Sequence, residues 1–365
     1  MKKIFSYIFF IFVISNSFSQ NFTIFSEVEF NRIKKTLFNN AVYVESYLPS
    51  NYSKDGTIDY TKYVQFVLDR FDVVVMPDIP VLINENGLNI NTNQKILFQQ
   101  NSKLVLKPNN RDRYGILNLF NVSNVDIYYP QLVGDKDDHL SNTGQWGMGI
   151  YILSSKNINI HTPRIENCWG DGICIGGRNN ISSKNINIRK AIITNNRRNG
   201  ITIGAVDNLT IESAYIANTS GYNPQAGIDI EPDNNGFEIK NVYLENIKTI
   251  NNGYYGIVIS PGNLVGNKKK VISIYINNFI DIGSPIGLGL GITREKKESN
   301  SLPLKGNIIV RNFKSYNNKI CRIRGFRGIK HFVKVNLDYS DLNLSQSEID
   351  YYNKKILSNE AFILK

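Results

Sequence analysis

Short stretches in which apolar and polar residues alternate recur along most of the chain. One unit has the form glycine-apolar-any-apolar and begins at Gly149, Gly172, Gly200, Gly227 and Gly256. Subtraction of these residue numbers gives intervals of 23, 28, 27 and 29 residues. A period of two is that of a β-strand, whose successive side chains point to opposite faces. Each unit therefore predicts a short strand with its isoleucines on one face.

A second alternating unit interleaves with the first. It reads NVDI, NINI, NINI and NLTI, with looser forms NVYL and SIYI, and begins at Asn124, Asn157, Asn185, Asn208, Asn241 and Ser273. A helical solenoid would space its apolar residues at three and four, and a β-sandwich would not keep one register over five units. Two short strands per repeat, separated by turns, predict an all-β parallel β-helix with stacked isoleucines inside. Parallel crossovers favour the right-handed form.

The ends of the chain differ from its repetitive centre. Two lysines, an apolar run over 4–14 and the polar stretch SNSFSQ predict a secretory signal peptide over 1–20. That run is short for a membrane span, which needs about 20 residues. We expect an exported protein, secreted, periplasmic or at the cell surface, that has no membrane span once the signal is cleaved.

Three further segments follow the signal. Residues 21–58 form an N-terminal segment, 59–343 the β-helix and 344–365 a helical tail with Ser345 or Ser347 as N-cap. The β-helix begins with an amphipathic helix over 59–71 that covers the end of the core, because terminal coils need caps. Its predicted apolar stripe is Tyr63, Phe66, Val67 and Phe71.

The net charge of +11 indicates which kind of molecule the protein binds. A basic exported protein suits polyanions. Its lysines and arginines lie in short dispersed groups without interleaved aromatic residues, which favours an acidic polysaccharide over nucleic acid. Three cysteines, an odd number, do not make a disulfide framework. No cofactor is required by any motif, and the oligomeric state is left open.

The chain resembles the pectate lyase and polygalacturonase superfamily of right-handed parallel β-helices. The resemblance rests on VVVMPDIPVLINENGLNI, on the block over 144–177 and on the later glycine units. It implies hydrolysis, elimination or epimerisation of acidic glycans, or binding alone. WGDGI matches part of a polygalacturonase motif and places Asp171 at that family's first aspartate. The paired aspartates and the Gly-His-Gly element of polygalacturonases have no counterpart.

Stacking the units in register places two acids beside a groove. One outward row holds Tyr151, Cys174, Thr202, Asp229 and Val258, and the next holds Leu153, Gly176, Gly204, Glu231 and Ser260. The glycines leave a bare floor next to Glu231. Two strand residues of this spacing lie about 6.5–7 Å apart, compatible with the ~5–9.5 Å between glycosidase carboxyls. The predicted catalytic residues are Asp171, Asp229 and Glu231.

Each candidate has an ordinary alternative. The two strand acids keep an exposed face soluble, or bind calcium together with Asp233. Asp171 is suited to a turn. The predicted substrate-binding residues are Tyr151 and Trp169, for stacking, and Arg197 and Arg198, for uronate carboxylates; packing and solvated charge are their alternatives. His139 lies in a polar loop and is interpreted as a surface histidine.

These observations favour an exported enzyme that cleaves or modifies an acidic polysaccharide. Hydrolysis by paired carboxylates and β-elimination are both open. The alternative from another class is a non-catalytic glycan-binding or envelope-structural β-helix.

Overall fold

The computed structural model describes residues 26–291, 301–325, 332–337, 345–348, 350–351 and 362–364. The predicted signal peptide over 1–20 lies outside the described residues. Two α-helices, α1 (Glu27–Leu37) and α2 (Thr61–Leu68), precede the coils, and short 3-10 helices occupy Val44–Tyr47 and Pro261–Leu264. Helical residues recur at 346–348 and 350–351. None of the helices in these ranges is long and apolar enough to cross a membrane.

Strands make up most of the described chain. The first twelve are β1 Val42–Tyr43, β2 Val73–Val75, β3 Pro80–Ile83, β4 Leu88–Asn89, β5 Lys95–Leu97, β6 Lys103–Leu106, β7 Arg113–Phe120, β8 Ser123–Tyr128, β9 Gln131–Val133, β10 Trp146–Leu153, β11 Lys156–His161 and β12 Arg164–Glu166. The rest are β13 Ile173–Arg178, β14 Ile181–Thr194, β15 Asn199–Ile203, β16 Val206–Ala217, β17 Ala226–Ile230, β18 Ile239–Ile250, β19 Tyr255–Ile259, β20 Val271–Ile282, β21 Ile286–Leu290, β22 Lys305–Tyr316, β23 Cys321–Arg324, β24 Phe332–Leu337 and β25 Phe362–Leu364.

The strands stack as a right-handed parallel β-helix, which confirms the predicted fold. Nine strands, β4, β7, β10, β13, β15, β17, β19, β21 and β23, form the face that we call the first face. The long strands of the other faces bend at residues with left-handed backbone, as β16 does at Asn208 (φ 70°) and Ser213 (φ 62°). These bends turn the corners of each coil without ending the strand.

Isoleucine ladders fill the interior, as the alternating units predict. Ile150, Ile173, Ile201, Ile228 and Ile257 stack in register on the first face and are fully buried. Val125, Ile158, Ile186, Leu209 and Val242 form a matching buried ladder opposite. Burying a side chain of this size stabilises the fold by about 1.5–3 kcal/mol.

The glycine that opens each first-face unit is required by close stacking. A Cβ added to Gly200 would lie 2.6 Å from the carbonyl oxygen of Gly227 and 2.2 Å from Cγ2 of Ile216. Gly149, Gly172, Gly227 and Gly256 are as tightly placed against the next coil. The repeated glycines therefore stack from coil to coil. Their close contacts leave no room for a side chain at these positions.

We expect Gly200→Ala to lower the free energy of unfolding by about 1–3 kcal/mol, the usual result of overpacking a core. Gly204→Ala is the matched control, because a Cβ there would meet nothing closer than 3.6 Å. Chemical denaturation of both variants measures the difference. Equal stability of the two variants would contradict the stacking argument.

The cap helix α2 confirms the prediction of a helix but corrects its buried stripe. It buries Thr61, Val64, Val67 and Leu68, whereas Phe66 is 42% exposed. The rings of Phe66 and Phe71 lie 5.9 and 5.7 Å from that of Tyr47, so these aromatics pack on the outer side of the helix instead.

The two ends of the described chain complete the architecture. The described residues 26–40 belong to a compact unit of their own, in which α1 has Ser26 as N-cap, accepting a 3.3 Å hydrogen bond from the Glu29 amide. At the other end, β25 pairs in parallel with β24. This strand lies inside 344–365, where the sequence predicts a helical tail, so the tail contains both helical residues and a strand.

Candidate functional site

The outward row predicted on the first face is present with its predicted register. Tyr151 pairs with Cys174, Cys174 with Thr202, Thr202 with Asp229 and Asp229 with Val258. The acids Asp229 and Glu231 therefore belong to one strand end of the first face, as the sequence predicts.

The three predicted catalytic acids differ in the solvent exposure of their side chains. The expectation that both Asp229 and Glu231 face solvent is wrong for Asp229, whose side chain is only 1% exposed, and Asp171 is 0% exposed. The guanidinium of Arg198, from the turn before β15, lies against both carboxylates and is itself only 14% exposed. Glu231 alone is half-buried.

A network of polar contacts joins the two buried acids. Nη1 of Arg198 donates to both carboxylate oxygens of Asp171, at 2.9 and 3.2 Å, and its Nη2 lies 4.0 Å from Oδ2 of Asp229. Nδ2 of Asn199 donates to that oxygen at 3.2 Å and to Oγ1 of Thr202 at 2.9 Å. We call Asp171, Arg198, Asn199, Thr202 and Asp229 the carboxylate cluster.

The two buried acids differ in electrostatic environment. Burial, and then the charge of Glu231, raise the pKa of Asp229 to about 8, and Arg198 only partly offsets them. Burial also raises the pKa of Asp171, but Arg198 binds that carboxylate directly and opposes the shift. Burial lowers the pKa of Arg198, yet the attraction of Asp171 and Asp229 outweighs it and the net shift is upward. Both buried acids are thus biased toward the protonated form, and Arg198 opposes this bias most directly at Asp171.

The raised pKa of Asp229 makes stability depend on pH. Between the ordinary pKa of 3.8 and about 8 the folded chain keeps a proton that the unfolded chain releases. Stability conferred by the protonated acid is present at low pH and is lost as pH rises through this window, by at most about 1.4 kcal/mol per unit. We expect Asp229→Asn to remove this loss of stability. In denaturation experiments, the free energy of unfolding of the variant should therefore rise relative to that of the wild type between pH 4 and pH 8. A constant difference over that range would contradict the assignment.

Glu231 borders the bare floor that the sequence predicts. A Cβ at Gly204, beside it, would make ordinary van der Waals contacts with backbone oxygens at 3.6 and 3.8 Å, although Gly204 is itself buried. At Gly176 the floor is covered more tightly, because Cδ2 of Leu153 lies 2.8 Å from where a Cβ would stand. The least crowded part of the floor is thus next to Glu231.

The predicted aromatic residues are packed rather than open. Tyr151 lies in an apolar cluster with Met148 and Leu153, and its ring meets that of Phe120 edge-on at 5.2 Å. Trp169 is stacked between the ring of His139, at 4.0 Å, and the guanidinium of Arg197, at 3.6 Å. Their use in sugar stacking remains a prediction, which would require these neighbours to move.

Arg197 is held in place by the same stack. Its guanidinium lies between Trp169 and Tyr222, 4.8 Å from the second ring, and Nη1 donates to the carbonyl of Gly144 at 3.1 Å. Burial lowers its pKa. These contacts account for Arg197 as a packing residue, and a substrate role for it stays a prediction.

His139 is not the surface histidine that the polar loop suggests. Its side chain is fully buried, with Nδ1 2.8 Å from Oδ2 of Asp135 and the ring against Trp169. Tyr114 donates to the other Asp135 oxygen at 2.6 Å. Burial, and then the charge of Asp135, raise the pKa of Tyr114. The Asp135–His139 spacing of four residues was the only sequence signal for this contact.

Two arginines that the sequence analysis missed flank this surface. The guanidinium of Arg113 lies 4.5 Å from the ring of Trp146, and that of Arg178 lies 4.3 Å from the ring of Phe120; both residues are exposed. Burial raises the pKa of Tyr151 to about 12, while both arginines oppose the shift, which places their charges near its hydroxyl. Arg113 lies on β7, which lacks the glycine-apolar-any-apolar unit, so the repeats did not predict the register of that strand.

Metal and disulfide chemistry find little support within the described ranges. No group of three or more histidine, cysteine, aspartate or glutamate side chains there is arranged to hold a metal ion. Asp233, the third member of the calcium alternative, is exposed. Cys168, Cys174 and Cys321 are free thiols, in agreement with the sequence.

Comparisons with known proteins place the fold but not a family. No protein-family model matches the chain. The SPbeta prophage-derived uncharacterized protein YorA of Bacillus subtilis is 29% identical over 96 residues, which are 24% of this chain and 16% of YorA. The match thus spans less than a fifth of that relative's length.

Two solved structures have the same architecture. PfbA, a surface adhesin of Streptococcus pneumoniae, is 13% identical and aligns 81% of this chain with 78% of its own at a TM-score of 0.61. The A-module of the mannuronan C-5 epimerase AlgE6 of Azotobacter vinelandii is 13% identical and aligns 80% with 95% at 0.53. At these identities the likeness shows the fold alone, and that fold carries both a polysaccharide-acting enzyme and an adhesin.

Proposed function

We propose that this chain is an exported carbohydrate-active protein that binds and modifies an acidic polysaccharide on the first face of its β-helix. The observation that carries the proposal is a half-buried acid, Glu231, beside a floor without side chains and a buried cluster in which the pKa of its neighbour Asp229 is raised to about 8. Asp171 and Asp229 then act as positioning residues, because neither reaches solvent.

A single accessible carboxylate favours proton abstraction over hydrolysis by paired acids. Glu231 would remove the proton on the carbon next to a uronate carboxylate. In β-elimination the released electron pair forms a carbon–carbon double bond, the neighbouring glycosidic C–O bond breaks and the departing oxygen takes a proton from solvent. Return of a proton to the opposite side of the same carbon gives epimerisation, the activity that the name of AlgE6 states.

Exposed arginines on the first face support an acidic substrate. Arg113 and Arg178 are each held over an aromatic ring; Arg178 follows Gly176 of the floor by two residues, whereas Arg113 lies at the start of β7, four coils from β17. Guanidinium groups bind carboxylates with paired hydrogen bonds and neutralise them, which makes the adjacent proton easier to remove. The chain has 42 lysine and arginine residues against 31 aspartate and glutamate residues. This excess of positive charge adds a general attraction for polyanions.

A binding-only protein is the second candidate, and a specific observation favours it. Two of the three predicted catalytic acids are buried in the hydrogen bonds and ion pair of the carboxylate cluster, as in a structural network. The similarity to the adhesin PfbA is compatible with this reading.

One screen separates the candidates. The mature protein is incubated with polymannuronate, polygalacturonate and glucuronate-containing glycans. Elimination gives a product that absorbs in the near ultraviolet, epimerisation changes the proton spectrum of the intact polymer, and hydrolysis releases reducing ends without a chromophore. Retention in a polysaccharide gel with none of these products would support the binding-only protein and overturn the enzymatic proposal.

A further inference from the structure

A stacked pair of tyrosines lies on a different face from the carboxylate cluster. Tyr243 of β18 and Tyr275 of β20 are register partners, and their rings stack at 4.9 Å with an interplanar angle of 8°. Tyr243 is nevertheless 42% exposed. The reason is its other neighbour in the row, Thr210, whose short side chain leaves the second face of the Tyr243 ring uncovered.

The row beyond Thr210 ends in a ladder of amides. Nδ2 of Asn159 donates to Oδ1 of Asp126 at 2.7 Å, and Nδ2 of Asn187 donates to Oδ1 of Asn159 at 2.9 Å. Each side-chain amide thus donates a hydrogen bond to the preceding coil, and its oxygen faces the following coil. Thr210 follows Asn187 in the row, and no hydrogen bond of the described residues reaches the Asn187 oxygen.

These residues define a slot of fixed width. Asn187 and Tyr243 are two coils apart, about 9.6 Å at the spacing of neighbouring strands. A ring stacked on Tyr243 at the distance seen for Tyr275 takes up about half of that width, with its substituents reaching the Asn187 oxygen. Thr210 forms a hydroxyl-bearing floor. We call the space over Thr210, between Asn187 and Tyr243, the tyrosine slot.

The charges beside the tyrosine slot do not favour an anion. Lys184 lies 3.7 Å from Asp207 on one side, and Arg189 lies 3.4 Å from Glu212 on the other. Glu245, the register partner of Glu212, accepts hydrogen bonds from the amides of Asn277 and Asn278 and adds a negative charge. The available chemistry is an aromatic face, a hydroxyl and an amide oxygen, which together match an uncharged sugar ring.

We propose that the tyrosine slot binds a neutral hexopyranose unit of a polysaccharide, separately from the first-face trough. The apolar face of the sugar stacks on Tyr243, and a sugar hydroxyl donates to Oδ1 of Asn187. The slot would hold a chain that carries neutral sugars, whereas the trough selects acidic ones.

Retardation in native gels that contain hydroxyethylcellulose, dextran or polymannuronate tests this assignment. We expect the wild type to be retarded by at least one of the two neutral glucans. Thr210→Tyr should abolish the retardation, because the new ring fills the slot and extends the tyrosine stack. Tyr243→Ala should weaken it roughly threefold to tenfold, the contribution of one aromatic contact.

Matched controls separate this site from the trough. Thr210→Ser keeps the slot open and should bind as the wild type does, and Glu231→Gln should leave binding to neutral glucan unchanged. Circular dichroism and melting temperature confirm that each variant is folded. The assignment is overturned if neither neutral glucan retards the wild type, if Thr210→Tyr is retarded equally, or if the slot variants lose binding only to polymannuronate. The Thr210 and Tyr243 variants should leave turnover in the first-face screen unaffected, so either proposal can fail alone.

Discussion

Glu231→Gln is expected to lower the rate of turnover by roughly 10²- to 10⁴-fold, the usual contribution of a group that transfers a proton. The side chain is half-buried at the edge of the floor, and the amide has nearly the same size and shape as the carboxylate but lacks its basicity. Stability should change by no more than about 0.5 kcal/mol, as for most surface substitutions. The assay is product formation from the acidic glycan that the screen identifies.

Asp233→Asn provides the control for this variant. Asp233 lies two residues further along the chain, is exposed and carries the same charge, so its removal changes the field at the trough without removing the proposed base. Full activity of Asp233→Asn together with loss in Glu231→Gln identifies the base. Unchanged kinetics of Glu231→Gln would remove it from the mechanism.

Arg198→Met is expected to lower the free energy of unfolding at pH 7 by about 3–5 kcal/mol, because it leaves the Asp171 carboxylate buried without its partner. Asp171 has no solvent exposure, and Arg198 supplies the positive charge bound to its carboxylate, whereas Thr202 and the Asn199 amide supply only neutral hydrogen bonds. The loss should diminish at acid pH, where Asp171 becomes protonated and no longer needs a cation. Urea denaturation at pH 5 and pH 7 measures both effects.

Two further variants test the origin of that loss. Arg189→Met breaks an ion pair with Glu212 in which both side chains are at least half-exposed, and it should cost less than about 1 kcal/mol. Adding Asp171→Asn to Arg198→Met should restore much of the stability, since the amide needs no counter-charge. A loss in Arg198→Met no larger than that of the surface control would show that Asp171 is not held as a buried anion.

The sequence alone was sufficient for the fold and for the order of residues on each face. A β-helix repeats one short motif, so alternation along the chain sets which side chains point inward, and the repeat length aligns the coils. The isoleucine ladders, the glycine column and the row from Tyr151 to Val258 follow from these two local properties. Placing Asp229 and Glu231 on the first face needed nothing more.

Only the tertiary structure decided which of those outward residues meet solvent. Outward in a strand means away from the coil interior, and a side chain from a turn can still cover that position, as Arg198 covers Asp229. The turns lack a repeating pattern. The alternation along the chain therefore predicts neither this contact nor the burial of the His139 side chain against Asp135. The free face of Tyr243 likewise depends on Thr210, 33 residues earlier by subtraction, being short at the same place in the preceding coil. Local periodicity determined the coil, while contacts between turns and neighbouring coils determined accessibility, charge state and therefore the candidate sites.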